Sequence, residues 1–411
     1  AALAESGAWL ITARAIQGIG AAFMMPSTNA LVTNAFPAQE RGKALGIYIA
    51  LATIFLALGP LLGGFLTQVF SWRAVFWINF PIALISIILA ISSVPTWRRR
   101  EKLNIDYLGF FISVIFISGF VLGFMEAPNW GWTSLPIMGL FLLSIISLIT
   151  FIGWEKKIPH PLVELTLFKN LTFTTLFSVL LIIQAVAIVF VFLAIFLQNV
   201  LHYSPLMAGL LLLPAMVPIM LMAPVGGHLR DKYGPTLPMF CGALLVVLSL
   251  IWIAIFSHNR GYAWLFPGLL VYGIGMPLIL SGIMATVMNM VNAQQRGMAS
   301  AIFNCARQFG NTIGLALLTG LLASVNKWQL NSFLHHSPVP LSRLKEQQID
   351  GLLVQSDQAM KAIAHLSLAH IELLKTAALN AYTNAFSMTL LAAAILAFLS
   401  LFLILKIPRK Q

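Results

Sequence analysis

Charged residues are scarce in this sequence. Only 9% of its 411 residues are Asp, Glu, Lys or Arg, whereas 59% are hydrophobic, and the mean hydropathy is +0.91. In soluble domains about a quarter of the residues are charged. The composition therefore excludes an ordinary water-soluble protein and indicates that most of the chain lies in a lipid bilayer.

Cysteine is almost as rare, and the patterns of common catalytic sites are missing. Cys241 and Cys305 both fall within long apolar runs, where a thiol packs as a small apolar side chain, so they do not indicate a redox compartment. The sequence contains no His-Glu-x-x-His or Gly-x-Ser-x-Gly motif. His365 and His370 are five residues apart, which does not place two metal ligands on one helical face. We therefore predict no enzyme, no catalytic residue, no metal site and no cofactor.

What the chain has instead is a series of long apolar runs. A helix needs about 20 apolar residues to cross the hydrocarbon layer, and these runs are too long and continuous for transmembrane β-strands. The sequence predicts eleven membrane-spanning helices, at 9–34, 44–69, 74–94, 106–125, 135–154, 172–198, 206–226, 236–256, 263–290, 298–323 and 381–405.

The basic residues follow the alternation of these spans. If the 36–43 link is cytoplasmic, the cytoplasmic links and the C-terminal tail hold fifteen Lys and Arg residues, whereas the short outer links hold only Arg73 and Arg260. Such an excess is typical of the cytoplasmic side of a membrane protein. The net charge of +12 is therefore a topology signal. We expect no nucleic-acid partner, because no basic patch with interleaved aromatic residues lies outside the spans.

The chain contains an internal repeat with a constant offset of 255 residues. The motif GIG at 18–20 recurs at 273–275, and AQERGKA at 38–44 recurs as AQQRGMA at 293–299. An even number of predicted spans separates the copies, so both have the same orientation. Parallel repeats of this kind relate the two halves of major facilitator transporters.

The repeat also predicts how the chain is organised. The helices and the basic segment 227–234 that precede the second copy have first-half counterparts only before residue 1, so we expect about three helices upstream of this chain; a shorter natural architecture is the alternative. The predicted domains are the remainder of an N-terminal bundle, two central linker helices with their flanking loops, and a C-terminal bundle with a long outer loop at 324–380. They comprise residues 1–94, 95–171 and 172–411.

Four motifs occur in order along these spans: RAIQGIG at 14–20, GPLLGG at 59–64, WRAVFWINFP at 72–81 and GHLRDKYG at 227–234. Together they resemble the fourth-helix, fifth-helix, sixth-helix-entry and gating-loop motifs of the fourteen-spanner drug:proton antiporters of the major facilitator superfamily, the EmrB/QacA-like multidrug exporters. Phe55 and Pro235 depart from that pattern, which usually has a glycine and a basic residue there. The resemblance implies an all-α integral membrane protein with the major facilitator fold, two pseudo-symmetric helical bundles and two extra central helices.

The resemblance also implies a function. We expect proton-coupled efflux of lipophilic or cationic drugs across the cytoplasmic (inner) membrane by alternating access, with small lipophilic substrates, protons and the lipid bilayer as partners. Export of a specific metabolite, such as a fatty acid or a siderophore, is one alternative, and a non-transporting truncated membrane protein is another. The polar segment 324–380 is a candidate contact for a periplasmic adaptor and its outer-membrane channel.

Arg14 is the first candidate site residue. A cation inside a span costs at least ~2.5 kcal/mol, so its side chain should face a polar cavity or a carboxylate. The resemblance implies that Arg14, with Gln17, couples proton movement or orients the substrate. The alternative is that Arg14 extends to the nearer outer headgroups.

Two glycine-framed motifs supply further candidates. The resemblance implies that Gly59, Pro60, Gly63 and Gly64 seal the cavity against leak, although their small size alone predicts close helix packing. It implies that the segment 227–234 is a gating loop whose salt bridge breaks when the halves rock; a solvated turn is the alternative. The gating residues are Gly227, Arg230, Asp231, Lys232 and Gly234.

Polar and sulfur-containing side chains inside the spans are candidates for the cavity lining. Four polar residues share one face of the span 298–323 by i, i+3, i+4, i+7 spacing: Asn304, Arg307, Gln308 and Asn311. Inter-helix hydrogen bonding is the alternative for them and for Gln184. Pliable methionines suit a promiscuous pocket but also fill ordinary cores. The methionines concerned are Met24, Met25, Met276 and Met284.

Acidic residues are scarce as well, and none of the twelve lies in the middle of a predicted span. Glu126 falls at an outer helix end and Asp106 at an inner one. Proton-coupled export needs a titratable carboxylate that water reaches from each side in turn. We therefore expect this group in the upstream helices, with Glu126 as the alternative within this chain.

Overall fold

The fold is all-helical in the part of the chain that the structure describes. The computed structural model describes residues 1–35, 55, 58–59, 61–93, 106–159, 161–292, 295–336 and 368–407, which contain no β-strand. The α-helices are α1 (Gly7–Ala35), α2 (Ala74–Trp77), α3 (Asn79–Ser93), α4 (Tyr107–Trp130), α5 (Leu135–Glu155), α6 (Leu171–Ala187), α7 (Val189–Asn199), α8 (Pro205–Leu211), α9 (Leu213–Tyr233), α10 (Thr236–Phe256), α11 (Tyr262–Met290), α12 (Arg296–His336) and α13 (Leu368–Leu405). A helical segment at 61–69 lies between α1 and α2.

Nine candidate membrane spans are found in the described ranges, by helix length and apolar composition. They confirm the predicted spans from the third, at 74–94, to the eleventh, at 381–405. The first predicted span corresponds to α1, a helix of 29 residues. Most of the second, 44–69, lies outside the described residues.

The internal repeat is visible in the helices themselves. α1 and α11 both have 29 residues, and each bound of α11 lies 255 positions after the matching bound of α1. The repeated glycine at 275 has a clear packing role, because a Cβ there would lie 2.7 Å from the carbonyl oxygen of Gly242. A Cβ at Gly242 would lie 2.6 Å from the carbonyl oxygen of Gly275, so α10 and α11 cross with their backbones in contact.

Two predicted spans are interrupted by single residues. One non-helical residue, Ile188, separates α6 from α7 within the span Leu171–Asn199. Leu212 separates α8 from α9 within the span Pro205–Tyr233. Pro214 explains the second break, because it has no N–H to donate to the preceding turn; nothing in the sequence explains the first.

Two predicted loops are shorter in the structure. The prediction of a turn over 227–234 is wrong for most of its length, because α9 continues to Tyr233. Arg230 and Lys232 lie in its last turn, where positive charge complements the helix dipole. In the predicted outer loop 324–380, α12 extends to His336 and α13 begins at Leu368, whereas 337–367 lies outside the described residues.

The chain forms two compact units. Unit 1 comprises Ala1–Leu103 with Tyr203–Met220, and unit 2 comprises Asn104–His202 with Leu221–Gln411. Within unit 2, α10 packs on α11 and α13, and α12 packs on α4, α6 and α13. α4 and α5, the predicted central helices, pack on each other. The division into 1–94, 95–171 and 172–411 stays a prediction.

Candidate functional site

Arg14 lies on an exposed face of α1, where two groups of unit 1 fix its position. Its Nη1 donates to Gln17 Oε1 at 2.7 Å, one turn further along the same helix. Its guanidinium carbon lies 5.8 Å from the centroid of the Phe76 ring, within the range of a cation–π contact. Arg14 and Gln17, which the sequence singled out together, are therefore brought together by the structure.

The motif at 72–81 supplies the ring beneath Arg14 and a second anchor. Arg73 Nη2 donates to the carbonyl oxygen of Ala4 at 2.9 Å, and its guanidinium carbon lies 4.4 Å from the Trp72 ring centroid. This contact ties the segment before α1 to the segment before α2. Sequence reasoning used the motif only as a family signal and did not predict that it positions Arg14.

Gly64 marks a close backbone contact within unit 1. A Cβ at this position would lie 2.7 Å from the carbonyl carbon of Pro205 and 2.8 Å from Leu206 Cα. Gln68, one turn later, accepts a hydrogen bond from the Leu206 N–H through Oε1 at 3.2 Å. A Cβ at Gly59 or at Gly63 would have no neighbour within 4 Å among the described residues, and Pro60 lies outside them.

The polar face of α12 lies beside a tight seam with α6. A Cβ at Gly310 would lie 2.5 Å from the carbonyl oxygen of Leu181 and 3.0 Å from Gln184 Cβ, and one at Gly314 would lie 2.7 Å from the carbonyl carbon of Ala185. The spacing Gly-x-x-x-Gly allows this approach and was the available sequence signal.

The four polar residues of that face differ in exposure. Arg307 and Gln308 are exposed, whereas Asn304 and Asn311 are half-buried. Gln184 is buried at the seam, next to Gly310. The structure therefore brings Gln184 to the same helix pair as the polar face, while the cavity-lining role of these residues stays a prediction.

The candidate methionines have different environments. Met276 is buried in α11, Met284 is 37% exposed on the same helix, and Met24 is exposed on α1. The side chain of Met25 lies outside what the structure describes. Of the three whose side chains are described, only Met276 is a core residue of the packed helices. The pocket role of all four stays a prediction.

Four of the five gating residues, Arg230, Asp231, Lys232 and Gly234, line a cavity of about 810 Å³ in unit 2. Arg230 Nε donates to Asp231 Oδ1 at 2.9 Å, and these two residues form the ion pair found among the described residues. Gly234 ends α9 with a φ of +79°, a conformation that glycine adopts without strain. The rest of the wall comes from Thr286, Asn289 and Met290 of α11 and from Asn170, Tyr233 and Pro235. Gly227 lies earlier along α9 and is not part of the wall.

Two carboxyl groups at helix ends were not among the site residues predicted from the sequence. Glu155, the last residue of α5, is only 3% exposed, and Asp106 precedes α4 as its N-cap. Glu126, the predicted alternative proton carrier, accepts a hydrogen bond from Asn129 Nδ2 at 3.3 Å. A signal was available for Asp106, because an Asp before an apolar run is typical of an N-cap.

Comparison with known proteins identifies the family of this chain. The profile of the Major Facilitator Superfamily matches residues 1–315, which is most of the chain. The chain belongs to the major facilitator superfamily.

Its relatives in the superfamily include proteins named for drug resistance. The chain is 33% identical over 344 residues to the multidrug resistance protein Stp of Mycobacterium tuberculosis. This match covers 83% of this chain and 64% of Stp. It is 29% identical over 329 residues to the tetracenomycin C resistance and export protein of Streptomyces glaucescens, covering 78% of this chain and 60% of that protein. The chain thus spans less than two thirds of the length of these relatives.

Solved structures agree on the major facilitator fold. The inward-facing, occupied crystal structure of a bacterial homolog of the human lysosomal transporter Spinster matches with a TM-score of 0.59 at 18% identity, covering all of this chain and 79% of that one. The chain is therefore a multi-pass membrane protein of a transporter superfamily rather than of an enzyme family.

Proposed function

We propose that this major facilitator protein exports lipophilic or cationic compounds across the cytoplasmic membrane in exchange for protons, by alternating access. Stp and the tetracenomycin C protein, which are named for drug resistance and export, support the compound class. Partnership with a periplasmic adaptor and an outer-membrane channel stays a prediction from the resemblance.

The observation that carries this proposal is the polar face of α12. Arg307 and Gln308 are exposed within the apolar span Met298–Leu334. A charged side chain against lipid tails costs at least ~2.5 kcal/mol at mid-depth, so such groups face water or a polar partner. An exposed Arg there is best accounted for by a wet path through the protein, which a transporter needs and a membrane scaffold does not.

Two features of unit 1 support the coupling part of the proposal. Arg14 lies within an apolar helix, and its guanidinium group contacts Gln17 and Phe76. Such a position is expected of a group in a proton or substrate path. Gly64 closes the backbone contact with Pro205, as expected of a segment that limits leak. Both features fit the roles that the resemblance implies.

The test is an efflux assay with the full coding sequence in a bacterial strain that lacks its own exporters. Cells are loaded with ethidium, a lipophilic cation, and its release is followed by fluorescence before and after a protonophore collapses the proton gradient. We expect release that stops on collapse. Release that continues unchanged would remove proton coupling from the proposal.

Variants of α12 connect this assay to the structure. Arg307→Gln should slow ethidium release, because the charge in the wet path is lost. Thr312→Val is the matched control, since the exposed Thr312 hydroxyl donates to the carbonyl oxygen of Gln308 at 2.9 Å within its own helix. Expressed protein that releases no lipophilic cation but moves an organic acid would favour export of a specific metabolite.

A further inference from the structure

Two carboxyl groups join the ends of α4 and α5. Asp106 Oδ1 accepts from the Gly109 N–H at 2.9 Å, which caps α4, and from Trp154 Nε1 of α5 at 3.0 Å. Glu155 Oε2 accepts from the Val163 N–H at 3.2 Å, which fixes the link after α5. One oxygen of each carboxyl is therefore occupied in holding backbone or indole N–H groups.

The second oxygen of each carboxyl has no hydrogen-bond partner among the residues that the structure describes. Asp106 Oδ2 and Glu155 Oε1 are both buried and unpaired. Both border the same small space, because a Cβ at Gly109 would overlap Asp106 Oδ2 and would lie 3.0 Å from Glu155 Oε1. Gly109 leaves that space open, and two orphaned acceptors face it.

No basic group in the described part of the chain forms an ion pair with either carboxyl. The one ion pair found in that part joins Arg230 and Asp231. Lys156 and Lys157 follow Glu155 but are exposed. Glu164 accepts from Thr166 and Gln295 instead. On α12, which packs on α4, the basic residue Arg307 is exposed.

Two ionised carboxylates cannot share such a space at low cost. Each buried oxygen would lack a donor, which costs free energy, and the two negative charges would repel each other. One proton removes both penalties, because a carboxylic acid O–H then donates to the facing carboxylate in a charge-assisted hydrogen bond. The proton belongs to the pair rather than to either residue.

We propose that Asp106 and Glu155 form a proton-binding site that holds the ends of α4 and α5 together. The site takes one proton, shared between Asp106 Oδ2 and Glu155 Oε1. Loss of the proton weakens the junction between α4, α5 and the link at Val163. This inference rests on the geometry of the pair alone and stands apart from the exported substrate and from proton coupling.

The direct test is infrared spectroscopy of the purified full chain near neutral pH. A protonated carboxyl group has a C=O stretch that is separate from the carboxylate bands and shifts in deuterium oxide. We expect this band in the wild type and its loss in both Asp106→Asn and Glu155→Gln, since either amide supplies the N–H donor in place of the proton. Glu372→Gln, which removes an exposed carboxyl on α13, is the control and should keep the band.

The outcomes separate the proposal from a purely structural role. If the wild type has no such band, or if both amide variants keep it, the shared proton is ruled out. Either variant is sufficient should the other fail to fold, and both conserve side-chain size and the helix-end contacts. A band lost in Glu372→Gln as well would also contradict the assignment to this pair.

Stability against pH gives a second readout. If the folded pair holds a proton that the unfolded chain releases, the folded state binds more protons, so the free energy of unfolding falls as the pH rises from the ordinary carboxyl pKa through the raised pKa of the folded pair. Asp106→Asn should flatten this fall relative to wild type and Glu372→Gln. An unchanged slope, or stabilisation of the wild type by sodium over choline chloride, would overturn the proposal, the latter in favour of an alkali cation site.

Discussion

At the scale of single residues, Arg14 shows how a charge is kept inside an apolar helix. Its guanidinium group donates to Gln17 and lies over the Phe76 ring, so two neighbours of different chemistry share it. A planar guanidinium can do both at once, whereas a lysine ammonium is a compact point charge that cannot lie flat on a ring. The arrangement therefore requires arginine and not only positive charge.

Arg14→Lys should consequently slow efflux although it preserves the charge. A hydrogen bond to a charged group contributes about 1.5 kcal/mol or more, so a loss of roughly tenfold in initial ethidium release rate is expected. The rate is normalised to the amount of protein in the membrane. Thr12→Val is the control, because the Thr12 hydroxyl donates to the carbonyl oxygen of Ala8 in its own helix at 2.9 Å. A wild-type rate for Arg14→Lys would show that charge alone is sufficient.

At the scale of elements, the seam between α6 and α12 depends on two glycines. At Gly314 a Cβ would overlap backbone atoms of Ala185, and its distance to the Ala185 carbonyl carbon would be 2.7 Å. Helix backbone cannot move aside as a flexible side chain can, so any substitution must separate the two helices. The seam also positions Gln184 beside the polar face of α12.

Gly314→Ala should therefore destabilise the protein by about 1–3 kcal/mol, the usual cost of overpacking. The measurement is the thermal midpoint of the purified protein in detergent. Gly139→Ala in α5 is the matched control, because nothing among the described residues lies within 4 Å of its Cβ position. Alanine is the better helix former by roughly 0.5–1 kcal/mol, so this control should be neutral or slightly stabilising. Equal midpoints for the two variants would contradict a tight seam.

The elements also show how far the sequence determines this fold. Apolar runs predicted nine spans correctly, because burial in lipid depends on composition over about 20 residues, which a sequence displays directly. The constant offset of the repeat predicted that α1 and α11 are equivalent helices. Helix ends were less predictable: α9 and α12 continue past their apolar runs into polar sequence, where lipid no longer selects the residues.

The candidate site was predictable only in part, for a different reason. The pairing of Arg14 with Gln17 follows from helical spacing, and the Gly310 and Gly314 spacing is also visible in sequence. Their partners, Phe76 and Ala185, belong to other helices, and spacing along one helix does not reveal them. Glu155 looks like a solvated charge beside Lys156, and only the tertiary packing of α4 on α5 shows that it is buried.

At the scale of the whole molecule, the proposed exchange requires coupling: a substrate leaves as a proton enters, and neither crosses alone. In an exchanger the leak pathway is closed by tight helix contacts, and Gly64 makes such a contact with Pro205 and Leu206 in unit 1. Gly63, its neighbour in the same motif, has open space around it among the described residues. These two positions allow the contribution of one contact to be separated from that of the motif.

Gly64→Ala should raise proton flux in the absence of substrate, because its methyl group forces the segment 61–69 away from α8 and opens a path for water. The measurement uses proteoliposomes with a pH-sensitive dye inside and an imposed pH gradient, with and without ethidium, so that leak and coupled flux are obtained from one preparation. Gly63→Ala should keep the wild-type ratio of coupled flux to leak. If it leaks as much as Gly64→Ala, the seal depends on the whole glycine stripe. If neither variant leaks, the contact at Gly64 is packing alone and the coupling must be controlled elsewhere.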